Sequence, residues 1–282
     1  MSAELIDGKR IATEIKAQVK AEAEAYLARN GRKMGLAVIL VGDDFASGIY
    51  VRNKINACNE NCINSFAYRL PASTSEEDLI ALIHKLNDDN TVDGILVQLP
   101  LPPHMRQNVV LSHISVYKDA DGFLAENAGN LMLGNPSLNA CTPCGIIELI
   151  RSTGRTIDGA NAVVIGRSNI VGKPTSLLLL ENHATVTMCH SHTANFVNFS
   201  RHADILVVAV GKKGLITGDM VKKGAVVIDV GMNREDGKLC GDVDFESVSK
   251  VAGFITPVPG GVGPMTIAML LKNIVKAALR LE

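Results

Sequence analysis

Residues 163–174 read "VVIGRSNIVGKP", and the way they pass from an apolar run through a glycine loop sets the fold. The run "ANAVVIG" (160–166) is short and continuous, as expected of a strand buried on both faces of a parallel sheet. The segment after it, "KPTSLLLLENH", reads as a helix. A glycine at such a junction lets the backbone approach a ligand, and the free N–H groups that open a helix attract an anion. Gly166, Arg167, Ser168 and Gly172 are therefore candidates for holding a phosphate-bearing cofactor. These glycines stand further apart than in Gly-x-Gly-x-x-Gly. A tight strand-to-helix turn with no ligand is the competing reading.

The next strand sharpens the choice. NAD-specific domains of this kind place Asp or Glu at the end of their second strand, to hold the ribose hydroxyls. Here that region reads "TMCHSHT" (187–193), without an acid. His190 and His192, the hydroxyls of Ser191 and Thr193, and nearby Arg167 favour a 2′-phosphate instead. The expected cofactor is NADP.

Outward from this point the chain keeps alternating. "ADILVVAVG" (203–211) and "GAVVIDVG" (224–231) are two further buried strands. Upstream, "GLAVILVG" (35–42), "INSFAYRL" (63–70) and "VDGILVQLPLPP" (92–103) read as strands. Helices separate them: one follows Asp7 with Ile11, Ile15 and Val19 at helical spacing, and another carries Tyr50 and Lys54. A third opens in "STSEEDLIALIHKL" with a capping-box pattern. Residues 117–145 are rich in Gly, Asn and Pro and read as an interdomain segment. The tail from about 266 has apolar residues at helical spacing. The expected fold is α/β: two three-layer domains flanking a cleft, the second Rossmann-like. Residues 1–120 plus about 265–282 form the first domain, and 140–264 the second.

Composition excludes several functions. A net charge of −1 gives no electrostatic footprint for nucleic acid or anionic membrane. No continuous apolar run is long enough to span a bilayer, and the N-terminus lacks a signal-peptide core, so the cytoplasm is expected. Six cysteines in 282 residues do not make a disulfide framework. Cys141 and Cys144 form one Cys-x-x-Cys, but zinc would usually need a second pair, and His190 and His192 lack partners at a familiar spacing. No metal is expected. A redox dithiol stays open as an alternative of another class, as does a silent nucleotide-binding protein.

"ASGIYVRNKINACNE" (46–60) sets Tyr50 and Lys54 four apart, on one helix face. Tyr-x-x-x-Lys is also the catalytic spacing of short-chain dehydrogenases. In those enzymes the pair follows the glycine loop within one domain; here it lies far upstream, in the other domain. That reading fails on order.

Six blocks then occur in sequence: "VGDDFASGIYVRNK", "DGILVQLPLP", "KDADGF", "CTPCGIIELI", "VVIGRSNIVGKP" and "ITPVPGGVGPMT". In this order they resemble the bifunctional methylenetetrahydrofolate dehydrogenase/methenyltetrahydrofolate cyclohydrolases, over essentially the whole chain. The resemblance implies two consecutive reactions, hydride transfer from methylene-tetrahydrofolate to NADP⁺ and hydration of the methenyl product to formyl-tetrahydrofolate. It implies that Lys54 handles protons in the hydration and that Gln98 orients it. Tyr50 would pack on the folate, with Ser47 bonding nearby, and Asp121 would take the amino-pyrimidine edge of the pterin. Leu99 and Pro264, in "LVQLPLP" and "PGGVGP", fall among the implied substrate contacts. A homodimer through an edge strand of the second domain is implied as well. A monofunctional dehydrogenase is the alternative enzyme, and retention of Lys54 and Gln98 argues against it. Three positions depart from the family pattern. Cys144 and Asn130 stand where basic residues are common, and "ENCINS" (60–65) lacks the usual helix-closing glycine, leaving Asn61 or Asn64 as the expected left-handed cap.

Overall fold

In the computed structural model, residues 2–135, 138–235 and 237–280 are described. The chain divides into two units. One comprises residues 14–139 and 270–282, the other residues 1–13 and 140–269.

In the 14–139 unit the strand Gly35–Val41 is buried at every position. It lies between Asn64–Leu70 and Gly94–Val97 in a three-stranded parallel sheet, with Val38 opposite Ala67 on one side and Leu96 on the other. A strand flanked on both edges and covered on both faces can be apolar throughout, which is why "GLAVILV" shows no alternation. The helix Glu76–Asp88 buries Leu79, Ile83 and Leu86, spaced to share one face, in the same core as Ile39 and Val97. Its start follows the capping pattern. Ser75 Oγ accepts the Asp78 N–H at 3.0 Å and donates to the Asp78 carboxylate at 2.7 Å.

The helix Phe45–Glu60 ends differently from expectation. The left-handed residue is Cys62, with φ of 60°, and neither asparagine takes that role. Asn61 is buried, has φ of −114°, and spends its side-chain amide on the Ala57 carbonyl at 2.6 Å. The reversal falls one residue later, at Cys62.

The described residues within 117–145 carry more regular structure than a connecting segment needs. They include the end of a 3₁₀ turn at Val116–Lys118, the helix Ala125–Leu133 and the start of the helix Cys141–Ser152. Lys118 is buried, and its ammonium donates to the carbonyls of Leu86, Asn87 and Asp89 at 3.1, 2.7 and 2.9 Å. These are among the carbonyls that the end of the Glu76–Asp88 helix leaves without a helical partner.

The other unit is built on a six-stranded parallel sheet in the order Glu4–Leu5, Phe254–Ile255, Val226–Asp229, Ile205–Val208, Asn161–Ile165, Thr185–Cys189. A short antiparallel pair, Asn233–Glu235 with Lys238–Cys240, follows the third of these in the sheet. The first residues of the chain group with this sheet, whereas the sequence reading keeps them with the first domain. The cause is pairing: Glu4 and Leu5 lie beside Phe254 and Ile255, and the Ile6 N–H donates to the Ile255 carbonyl at 2.9 Å. The helix Val262–Arg280 contains one stretch, Val262–Leu279, long and apolar enough to cross a membrane by length and composition, which a search for continuous apolar runs passes over. Its Ala268, Leu271, Ile274 and Ala277 are fully buried, as in a core helix.

Candidate active site

The helix Phe45–Glu60 starts where the Asp44 carboxylate accepts the Ser47 N–H at 2.7 Å. Ser47, Tyr50 and Lys54 then follow at intervals of three and four, along one stripe of the helix. Ser47 is buried and Lys54 half-buried, while Tyr50 keeps 44% of its surface exposed. A phenol ring this open is not a core side chain and can receive a flat ligand.

The strand Gly94–Val97 brings Gln98 to meet this stripe. Lys54 Nζ donates to Gln98 Oε1 at 3.2 Å, and Gln98 Nε2 donates to the Leu99 carbonyl at 2.8 Å. The second bond fixes the amide's orientation, because a carbonyl can only accept. The Gln98 oxygen is thereby turned to the lysine. Leu99 itself is half-buried and enters a cis peptide bond with Pro100.

Asp121 completes the group. Burial among protein atoms pushes its carboxyl above the usual carboxylate range, and the charge of Lys54 pulls it back. The turn that "KDADGF" suggests is made by a different aspartate. Asp119, 2% exposed, accepts the N–H groups of Gly122, Phe123 and Leu124 and the Asn127 side chain at 2.8–3.2 Å. With those amides tied to Asp119, the Asp121 carboxyl is left outside the turn's hydrogen bonds. Pro264 belongs to the other unit, in the first turn of Val262–Arg280, where a missing N–H costs nothing.

At the nucleotide candidates, adjacent strand ends do the gathering. Ile165 pairs with Cys189, and the Gly166 N–H donates to the Cys189 carbonyl at 2.9 Å, so the 166–172 loop and the 190–193 turn share one edge. Gly166 has φ of 129°, and a Cβ there would collide with the Ala209 carbonyl; one on Gly172 would collide with Gly166. Both glycines are demanded by space. Ser168 Oγ accepts the N–H groups of Val171 and Gly172 at 3.2 and 3.3 Å, so part of the helix opening is capped internally. Thr193 Oγ1 accepts the His190 N–H at 2.9 Å and closes its turn. Arg167 and Ser191 are exposed, and His190, half-buried, lies edge-on to the exposed His192 with ring centroids 5.9 Å apart.

Cys141 is buried in the first turn of its helix, and no group of three or more His, Cys, Asp or Glu among the described residues could hold a metal ion.

Comparison with known proteins agrees with this division of labour. Residues 6–121 match the model of the tetrahydrofolate dehydrogenase/cyclohydrolase catalytic domain, and residues 140–282 match that of its NAD(P)-binding domain. The chain belongs to the tetrahydrofolate dehydrogenase/cyclohydrolase family. Within that family it is 57% identical to the bifunctional protein FolD of Burkholderia mallei, over 99% of this chain and 98% of the relative. It is similar to the crystal structure of the bifunctional FolD of Campylobacter jejuni, with TM-score 0.97 and 47% identity over the full length of both. The FolD structure of Trypanosoma brucei, complexed with NADP cofactor and inhibitor, gives TM-score 0.94 and 39% identity over 100% of this chain and 99% of that one. Two features of this family member escape the sequence pattern: Asp119 as the turn organiser, and Lys118 as a buried helix cap. Their spacing resembles an ordinary charged turn; what sets Asp119 apart from Asp121 is the three backbone amides and the Asn127 side chain that converge on it.

Proposed function

We propose that this chain oxidises 5,10-methylenetetrahydrofolate to 5,10-methenyltetrahydrofolate with NADP⁺ and hydrolyses the product to 10-formyltetrahydrofolate. The observation that carries the reading is the bond from Lys54 Nζ to Gln98 Oε1, within the unit that matches the catalytic-domain model.

The chemistry follows from what each group can exchange. Gln98 Oε1 is an acceptor only, so it holds an N–H of the lysine and leaves the lone pair of a neutral amine free for another direction. An amine held so can take a proton from water as it attacks the methenyl carbon and return it as the ring opens, a role worth ~10²–10⁴ in rate. The ionised Asp121 carboxylate accepts adjacent N–H donors of the pterin edge, and the open Tyr50 ring packs on the folate. Ser47, on the same helix stripe, and Leu99 and Pro264 are proposed as further substrate contacts.

NADP⁺ supplies the hydride acceptor. Gly166 and Gly172 would let the backbone close on its phosphates, with Arg167, Ser168, His190 and Ser191 on the 2′-phosphate side and Thr193 shaping that turn. What supports the choice is that histidines and hydroxyls, with no acid among them, stand where an acid would hold a ribose diol. A homodimer through an edge strand of the six-stranded sheet, a cytoplasmic location, and no nucleic-acid or membrane partner complete the reading.

Purified protein given methylene-tetrahydrofolate and NADP⁺ should build up methenyl absorbance and then consume it. Absent NADPH formation sinks the dehydrogenase, and methenyl that persists sinks the cyclohydrolase. Turnover with NAD⁺ equal to that with NADP⁺ overturns the cofactor choice. Sedimentation as a monomer removes the dimer.

A further inference from the structure

We propose that Asp242, carried by Asp229, is a positioning residue for the nucleotide loop of the 140–269 unit, setting affinity for NADP without touching it; this rests on the cofactor reading above.

Asp242 is completely buried. One of its oxygens accepts the N–H groups of Val210 and Gly211 at 2.7 and 2.9 Å, and the other accepts Asn233 Nδ2 at 2.9 Å. Asp229, at the end of its strand and 4% exposed, accepts the N–H groups of Gly231, Asp242 and Val243 at 2.9, 2.9 and 3.0 Å. The two carboxylates occupy the space that side chains at Gly231 and Gly241 would need: a Cβ on Gly231 would strike Asp242, and one on Gly241 would strike Asp229. Five backbone amides from three segments of chain thus converge on two carboxylates.

The segment that Asp242 holds begins beside Ala209, whose carbonyl is the group that excludes a side chain from Gly166. A line of contacts therefore runs from Asp229 to Asp242, through the 209–211 backbone, to the first glycine of the phosphate loop. That loop lies at a particular place in the sheet. Asn161–Ile165 has the next strand of the chain, Thr185–Cys189, on one side and the one after it, Ile205–Val208, on the other. Such a reversal opens the crevice in which α/β sheets take nucleotides.

Burying two acids side by side is costly. Burial, and more weakly the charge of Asp242, push Asp229 up to about 6 against the pull of the three amides. Perturbed groups of this kind cluster at functional sites, and here the geometry says which one.

The test is Asp242→Asn, which keeps the shape but offers an NH₂ to donors. KM for NADP⁺ and the dissociation constant for NADPH should rise at least tenfold. Methenyl hydrolysis, assayed without cofactor, should stay within twofold. Asn233→Ala, which removes the third donor to Asp242 together with that amide's bond to the Gly241 carbonyl, should raise KM three- to fivefold and decides the matter if Asp242→Asn does not fold. An unchanged KM in folded protein, or an equal fall in both activities, overturns the proposal. Wild-type protein that binds no NADPH overturns the cofactor reading instead, a separate failure.

Discussion

The two candidate sites are made in opposite ways. On the 14–139 unit, side chains reach out: a lysine and a glutamine meet at 3.2 Å, with a carboxylate and an open phenol beside them. On the six-stranded sheet, side chains are withdrawn: Gly166 and Gly172 exist because nothing larger fits between neighbouring backbone segments. The first arrangement suits a reaction that moves protons, which needs groups of defined acidity near the substrate. The second suits a cofactor that brings its own chemistry and needs mainly a surface to lie on. Damage at the first site should therefore divide the two activities. Damage at the second should follow cofactor affinity.

The sharpest division should come from Lys54→Met. Loss of the proposed proton handler should lower methenyl hydrolysis by ~10²–10⁴ while leaving more of the hydride step. Unchanged hydrolysis would end the assignment. Next, Gly166→Ala forces a methyl group against the Ala209 carbonyl at a positive φ. NADPH binding should weaken by roughly a factor of ten or more, or the domain should destabilise by about 1–3 kcal/mol, read by fluorescence titration and thermal melts. Retained affinity and Tm would contradict the packing described.

Asp121 offers a subtler break. Its carboxyl titrates above the usual range because burial outweighs the pull of Lys54. The folded protein thus keeps this proton to higher pH than the unfolded chain does. The ionised form proposed to accept pterin N–H groups is lost as pH falls through the raised value, and the group's contribution to stability declines as pH rises through the same window. The acid limb of kcat/KM should accordingly lie above that of an ordinary carboxylate and change in Asp121→Asn. A limb left in place by that variant assigns it elsewhere. The smallest effect should be a gain. Cys62→Gly relieves a non-glycine residue at φ of 60° and should stabilise the 14–139 unit by about 0.5–1 kcal/mol, without altering either activity.

Legibility in the sequence followed the range of the interactions. Continuous apolar runs announced the buried strands, and the Ser75–Asp78 capping pair was readable because both partners lie within one turn. The Lys54–Gln98 contact joins residues 44 apart in the chain, so it was visible only through the resemblance to a family, and spacing alone carried no trace of it. The two-residue strand Glu4–Leu5 owes its existence to Phe254 and Ile255, far away in sequence. Within "KDADGF" the two aspartates are alike as letters. What separates them is that three amides and Asn127 converge on Asp119.

The lysine that opens that block has a further consequence. Lys118 gives its three protons to carbonyls and is pressed by burial to hold its charge less firmly than a surface amine. Its nitrogen has no lone pair to offer and no path for an incoming electrophile while the turn is closed. Acylating reagents should label the surface lysines first and reach Lys118 only when the end of the Glu76–Asp88 helix opens. A residue that caps the end of the Glu76–Asp88 helix thus doubles as a chemical clock for its breathing.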